Sequence, residues 1–251
     1  MNIIVEFIHS ILWVKRLLLN EYSIPELELI KRMISKNAYC IDIGAHAGSW
    51  TFPLSRKVPN GKVIAFEALP YYARVLRMAL SVLMVKNVSI VNCALMESKG
   101  IVNLQWKSND GHRLTGRTHV AFNEEPLVDP VAVSATTLDS YLGEMGYSEK
   151  RVELIKIDIE GAELPALIGA RESLVKWMPI LYVEIYADYC LRFGYTYDVL
   201  FGYLADIGYK PYVFDAQQRL IGIGVESYSG AGDVLFLNAS VDFSRIVRED
   251  T

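Results

Sequence analysis

Ala38-Tyr39-Cys40-Ile41-Asp42-Ile43-Gly44-Ala45-His46-Ala47-Gly48 is the stretch on which the fold turns. A short apolar run that ends in a carboxylate and then in glycines suits a buried parallel strand passing through a tight loop into a helix. A run this short also fits a turn of buried helix. Gly44 and Gly48 carry no Cβ, so the backbone there can turn sharply and lie close to a ligand. A dinucleotide fingerprint needs its next glycines two and then three positions on, at 46 and 49. His46 and Ser49 stand there instead. The pattern present, Asp-x-Gly-x-x-x-Gly, points to a different nucleotide-like ligand.

Outward from this stretch the chain alternates. Residues 50–57 continue as a helix, with Pro53 tolerated near its first turn. Residues 62–67 read as a second strand, 70–83 as a helix with apolar residues at helical spacing, and 87–95 as a third strand. Strand, helix, strand, helix, strand is half of an open parallel sheet with right-handed crossovers. Residues 152–161 predict a fourth strand, 163–177 a helix, 179–186 a fifth strand, and 197–207 a helix closed by Gly208. Residues 209–215 and 231–238 then predict two paired strands. Residues 107–131 are polar and irregular, as a lid over a site would be. Residues 131–135 suggest a short strand, and Thr136-Thr137 begin a short helix. Ahead of the sheet, Ser23 and Pro25 mark a helix start, and that helix should end near Asn37.

With 251 residues, 52% of them apolar and 22% charged, the chain can build one domain around a substantial core. We expect an N-terminal helical extension over residues 1–37 and the main domain over 38–251. The fold class is α/β, an open Rossmann-like sheet. Net charge is −4, and no Lys/Arg run is longer than pairs such as Lys15-Arg16 and Lys31-Arg32, so a nucleic-acid partner is not expected. Cys40, Cys93 and Cys190 are scattered, which predicts buried thiols in a reducing, cytoplasmic setting rather than disulfides or a zinc site. Residues 3–19 are strongly apolar but interrupted by Glu6, His9, Lys15 and Arg16. A spanning helix needs about 20 mostly apolar residues, and no basic region precedes this one as in a signal peptide. Packing on the domain, or on a second subunit in a homodimer, is favoured over membrane contact.

Ligands of such sheets lie beyond the carboxyl ends of the strands, where strand order switches. Asp42, Glu67, Asn92, Asp158 and Glu184 all fall at or near predicted strand ends. A phosphate-bearing dinucleotide would be repelled by Asp42, whereas a ligand with a cationic amino-acid part and a ribose diol suits Asp42 and Glu67. S-adenosylmethionine has both features. Glu67 suits the ribose hydroxyls, and Asn92 or the Cys93-Ala94 backbone suits the adenine edge. Gly44, Ala45, Gly48, Ala68 and Asp158 complete the expected cofactor-binding set with Asp42, Asn92 and Ala94.

Asp42-Ile43-Gly44-Ala45-His46-Ala47-Gly48 resembles motif I of class I S-adenosylmethionine-dependent methyltransferases. More specifically, Thr136-Thr137-Leu138-Asp139-Ser140-Tyr141 followed by Ile155-Lys156-Ile157-Asp158-Ile159-Glu160-Gly161-Ala162-Glu163 is similar to the FkbM methyltransferase family. The similarity runs from about Tyr39 to Tyr186. It implies about seven mostly parallel strands with the last antiparallel, and O-methylation of a hydroxyl on a sugar, polyketide or other small molecule. His46 stands where an Asn is more usual and Tyr186 where a His often stands, so the acceptor of better-known members does not carry over. The competing readings are an RNA or protein methyltransferase and a non-catalytic S-adenosylmethionine-binding module.

Lys156, Asp158 and Glu160 alternate with isoleucines, so a strand reaching that far would put three charges on one face, open to a cleft. For direct in-line displacement at the methyl carbon, Asp158 is the first choice of general base, Glu160 the second and His46 the third. Asp158, Glu160 and Glu184 are also a donor set that hard cations accept, although no metal is expected to be required. The acceptor should meet the polar stretch 108–117, with His112 and Arg113 as contacts. Glu184, Tyr186 and Tyr189 are expected at the same mouth.

Overall fold

The computed structural model describes residues 3–19, 24–107, 118–121, 127 and 129–238. Helices α1 (Ile3–Leu18) and α2 (Pro25–Met33) precede an alternating run: β1 (Tyr39–Ile43), α3 (Thr51–Lys57), β2 (Lys62–Phe66), α4 (Pro70–Val82) and β3 (Val88–Val91). Four strands then leave the main sheet: β4 (Ala94–Leu95), β5 (Gly100–Gln105), β6 (His119–Val120) and β7 (Val131–Thr136). The chain returns through α5 (Leu138–Glu144) to β8 (Val152–Ile157), α6 (Glu163–Ile168), α7 (Arg171–Trp177) and β9 (Ile180–Tyr186). It closes with α8 (Ala187–Arg192), α9 (Tyr197–Ile207), β10 (Lys210–Phe214), β11 (Leu220–Gly222), a 3-10 turn at Val225–Ser227, and β12 (Ala231–Leu237).

The main sheet has eight strands in the order β11-β10-β12-β9-β8-β1-β2-β3. β1 pairs in parallel with β2 on one side and with β8 on the other. The chain fills the sheet from β1 through β2 to β3 in one direction, and from β8 to β9 in the other. The strand order therefore reverses beside β1, where a ligand crevice is expected. β12 runs antiparallel between β9 and β10, as expected of the last strand. The eighth strand is β11, three residues paired to β10, too short to leave a pattern in sequence.

Central strands covered on both faces must be apolar on both. Ile41, Ile43, Ile64, Phe66, Ile155 and Ile157 face one core with Leu167, Leu174, Leu200 and Leu204. Cys40, Val63, Leu154 and Tyr182 face the other, closed by Leu27, Ile30 and Ile34 and by Trp50 and Leu54. All three cysteines are buried thiols.

Several boundaries differ from the sequence expectations, each for a local reason. The single strand expected over 87–95 is two, because the Asn92 amide donates to the carbonyls of Glu67 and Ala68 and turns the chain away. Its second half joins a small sheet ordered β4-β7-β5-β6, and β5 within it went unpredicted. The helix expected over 163–177 breaks at Gly169, where a Cβ would stand 2.1 Å from the Met96 carbonyl oxygen. β8 stops at Ile157, so Asp158 and Glu160 lie in a loop and not on a continued strand face. α2 ends at Met33, four residues before Asn37, and its N-cap is Ile24 without a side-chain bond. Ser23 lies outside the described residues. α1 packs along α4, with Glu6 paired to Arg74 at 2.7 Å.

Candidate active site

The loop after β1 is held by backbone bonds to β2 and by the side chains of Glu67 and Lys156. Gly44 and Ala45 both donate to the Phe66 carbonyl, at 3.0 and 2.9 Å. Gly44 has φ +80°, and a Cβ there would stand 1.9 Å from the Asp158 carbonyl oxygen, so only glycine lets β1 and β8 close at this point. Gly48 has φ +98° and packs on Leu76 of α4. His46 also has positive φ, +48°. Its backbone N–H donates to Glu67 at 2.7 Å.

Beside this loop lies a cavity of about 210 Å³. Its floor is Ile43, Gly44 and Phe66, and one side is formed by Glu67, Ala68 and Leu69. Cys93, Ala94, Leu104, Thr118 and His119 make the far wall, so the small sheet is a cover for the cavity. Lys156, Asp158, Ile159 and Glu160 close the end under β8. Typical ligand pockets are roughly 300–1,000 Å³. This cavity lies just below that range, with Asp158 and Glu160 at one end of it.

The polar groups around the cavity are organised by Lys156. Its ammonium is buried, 3.2 Å from Asp158 and 3.5 Å from Asp42, and it donates to the Gly44 carbonyl at 3.0 Å. Burial alone would lower its pKa, but Asp158 and Asp42 together hold it above the ordinary lysine range. Asp42 is wholly buried, accepts a 2.5 Å bond from Thr51 Oγ1, and does not reach the cavity. Glu67 is buried at the opposite end, where its two oxygens accept from the backbone N–H groups of His46 and Leu69. Burial pushes its pKa up to about 7 against these bonds.

Beyond β8 the loop is built around another carboxylate. Glu163 accepts from the N–H groups of Ile159 and Gly161 at 3.0 and 3.1 Å, and Tyr195 donates to the Gly161 carbonyl at 2.8 Å. This holds Glu160 at φ +58° with its side chain against the cavity. Burial and the nearby Asp158 charge push the Glu160 pKa up to about 7, while a bond to Tyr189 lowers it. Glu160 Oε2 is buried without a partner. Glu184 is held well above the ordinary carboxylate range, by burial first and then by Asp158, to which it hydrogen-bonds. The oxygens of Asp158, Glu160 and Glu184 lie within 4.8 Å of one another, the one such group of possible metal ligands among the described residues. Hard cations accept such oxygens, but the Lys156 ammonium already lies 3.2 Å from Asp158 and is shared with Asp42.

Gly44, His46, Glu67, Ala68, Ala94, Asp158 and Glu160 line the cavity as the sequence suggested. Asp42, Ala45, Gly48, Asn92, Glu184 and Tyr186 are not among its lining residues. Asp42 is spent on Lys156 and Thr51, Ala45 and Gly48 shape the loop, and Asn92 props the Glu67–Ala68 backbone. His46 is packed against Tyr72, with ring centroids 3.8 Å apart, and meets Trp13 edge-on. Burial pushes its pKa down to about 4, so it is neutral and weakly basic. Its buried Nε2 has no partner and belongs to a cavity wall, as a polar ligand would require. Tyr186 stands outside the cavity, its ring 5.2 Å from Tyr189, with the Arg192 guanidinium 4.3 Å over the Tyr189 ring. His112 and Arg113 lie outside the described residues. Thr118 and His119, a few positions further on, reach the cavity unpredicted. Lys156 was visible only as part of a charge alternation, and its role depends on strand neighbours that sequence does not give.

A family model described as the methyltransferase FkbM domain matches residues 42–211. Methyltransferase sdnD of Sordaria araneosa is 26% identical over 167 residues, covering 56% of this chain and 63% of that protein. Methyltransferase 1 of Beauveria bassiana (strain ARSEF 2860) is 27% identical over 146 residues, covering 53% and 58%. The chain thus matches about six tenths of the length of these curated relatives. The crystal structure of methyltransferase FkbM from Methylobacillus flagellatus KT superposes with a TM-score of 0.52 at 17% identity, over 81% of this chain and 44% of that one. That likeness is one of fold.

Proposed function

The chain belongs to the FkbM methyltransferase family, and from that premise we propose that it moves a methyl group from S-adenosylmethionine to a hydroxyl of a small molecule or sugar. S-adenosylmethionine supplies a methyl carbon made electrophilic by its sulfonium; the protein supplies position, charge and a proton acceptor. Glu67 is the partner for the ribose diol, since each of its oxygens accepts one backbone N–H and keeps a lone pair for a hydroxyl. Phe66, Leu69, Cys93 and Leu95 give the adenine an apolar slot. Lys156 suits the amino-acid carboxylate, and Asp42 acts through Lys156 without touching the ligand.

The observation that carries the reading is Glu160. A carboxyl lining the cavity, pushed up to about 7, is matched to taking a proton from a hydroxyl near neutral pH. Asp158, tied to Lys156, is the weaker candidate, which reverses the order expected from sequence. Tyr186 and Tyr189 form a tilted aromatic pair beside Glu160, a surface on which a sugar ring can rest. Most of the acceleration comes from holding the acceptor oxygen in line, worth roughly 7–11 kcal/mol in well-oriented systems.

The test combines calorimetry with S-adenosylmethionine and S-adenosylhomocysteine and transfer of labelled methyl to sugars and polyols, against RNA and peptide controls. Glu160→Gln should bind both nucleosides as wild type does and lose about 10²–10⁴-fold in kcat. The wild-type rate should rise with pH through about 7, as Glu160 gives up its proton. Full turnover by Glu160→Gln would remove Glu160 as base, and no binding of either nucleoside would defeat the cofactor assignment.

A further inference from the structure

Helix α1 buries Leu17 and packs Trp13 against the domain, yet most of its apolar surface faces outward. The side facing the domain carries Glu6, whose carboxylate takes a fork of bonds from Arg74 at 2.7–3.1 Å. Buried Ser10 lies beside it. The side facing away carries Val5, Phe7, Ile8, Ile11, Leu12, Leu18 and Leu19, each 37–60% exposed. A surface helix normally turns its apolar stripe to the core, and contiguous apolar surface of this extent marks an interaction site.

The surroundings of this face say what covers it. At the C-terminal end of α1 lies a hollow of about 320 Å³, bounded by Leu17 and Leu18 and by Arg16, Lys31, Arg56 and Lys57. Among the described residues Glu28 is its one acid, paired with Lys31 at 2.7 Å. Leu18 and Arg56 also border an adjoining hollow with Lys86 and the 80% exposed Met84. On a chain of net charge −4, a cationic rim is thus set beside an exposed apolar helix. A second copy bound through the same face would bring the cationic rim no described acid but Glu28, already paired with Lys31. An anionic surface with an apolar interior satisfies both features.

We infer that the outer face of α1, with the basic hollow at its C-terminal end, docks on an anionic lipid bilayer. α1 lies in the interface and does not span it. Its 16 residues extend about 24 Å, short of a hydrocarbon core of about 30 Å, and no helix among the described residues is long and apolar enough to cross. Ile8, Ile11 and Leu12 enter the acyl boundary while Arg16, Arg56 and Lys57 meet lipid phosphates. This revises the preference, drawn from sequence, for packing on protein alone.

The full chain is tested by co-flotation with vesicles of phosphatidylcholine alone and of phosphatidylcholine with phosphatidylserine, at low and high salt. Binding is expected to the anionic vesicles only, and to weaken with salt. Arg56→Gln/Lys57→Gln should weaken it roughly thirtyfold, about fivefold per charge. Ile8→Ser/Leu12→Ser should weaken it at least tenfold with unchanged Tm, since both side chains are half exposed. No binding to anionic vesicles would overturn the inference, as would equal binding to both vesicle types. A concentration-dependent dimer that Ile8→Ser/Leu12→Ser abolishes would assign the face to a second copy instead.

Discussion

Replacing Lys156 with Met should damage this protein far more than losing one surface charge, because of what the lysine leaves behind. Its ammonium is the one cation paired with Asp42 among the described residues. Asp42 is fully buried, its Oδ1 has no hydrogen-bond partner, and its Oδ2 has only Thr51. Asp158 also loses its partner, but its side chain is 39% exposed and water can replace the ammonium. Nearly all of the cost therefore falls on Asp42. Removing one member of a buried pair costs about 3–5 kcal/mol, because a charge stays in a medium that cannot solvate it. In a chain of this size each kcal/mol moves Tm by roughly 2–4 °C, so a fall of about 6–20 °C is expected in the cofactor-free protein. Adding Asp42→Asn removes the stranded charge, so Asp42→Asn/Lys156→Met should recover more than half of the loss. The assay is thermal unfolding followed by circular dichroism, checked by urea titration. A loss below 1 kcal/mol in Lys156→Met, or a double variant no more stable than the single one, would refute the assignment of Asp42 as a buried anion neutralised by Lys156.

Gly44→Ala combines a left-handed φ with a Cβ 1.9 Å from the Asp158 carbonyl oxygen. It should cost more than about 2 kcal/mol and abolish S-adenosylhomocysteine binding by calorimetry; near-normal affinity would contradict the geometry. Asp139 accepts from Glu172 N, Ser173 N and Ser173 Oγ and so caps α7. Asp139→Ala should therefore lose about 1–2 kcal/mol in urea unfolding, with kcat and KM unchanged. Glu67 and Glu163 are fully buried with pKa values near 7 against an ordinary 4.5. At these two groups the folded state binds more protons than the unfolded chain between those values, so their contribution to stability is fully present below about 4.5 and lost as pH rises through 7. A Tm series on the cofactor-free protein that rises over that interval would show that these two groups do not govern it.

The parallel half of the sheet was legible because strands buried on both faces advertise themselves as apolar runs, and Ile41, Ile64, Ile155 and Val183 all sit at the expected centres. The small covering sheet was not. β5 leaves Ile101 exposed and has one face on a minor core, so its sequence carries no strong alternation. The helix over 163–177 looked continuous since nothing in sequence reveals that Gly169 must pass against the Met96 carbonyl. Glu67 and Glu160, singled out as carboxylates at strand ends, both line the cavity. Asp42 was assigned to the ligand by the same logic, and the structure places it behind the cavity on Lys156 and Thr51. Its partner Lys156 is adjacent only through the β1–β8 register, Asp42 opposite Lys156. Thr137 and Asp139, read as part of a family signature, turn out to cap α5 and α7.

The acids around the switch point explain each other once their protons are counted. Asp42 and Asp158 share a single lysine, while Glu67, Glu160 and Glu184 have pKa values raised by burial. If all five were charged, one ammonium would face five carboxylates within a few strand widths, an arrangement that burial makes costly. Lys156 pairs with the innermost two and leaves one net negative charge there, while burial favours the protonated form of the other three until something cationic arrives or the pH rises. On the proposed reading that cation is the sulfonium-bearing donor, which finds carboxyls ready to ionise at both ends of its cavity. Glu160 then differs from Glu67 in one respect. Glu67 is tied by two backbone N–H groups, whereas Glu160 keeps a buried oxygen without a partner. The division between holding the donor and accepting a proton follows from that difference in hydrogen bonding, not from any difference in residue type.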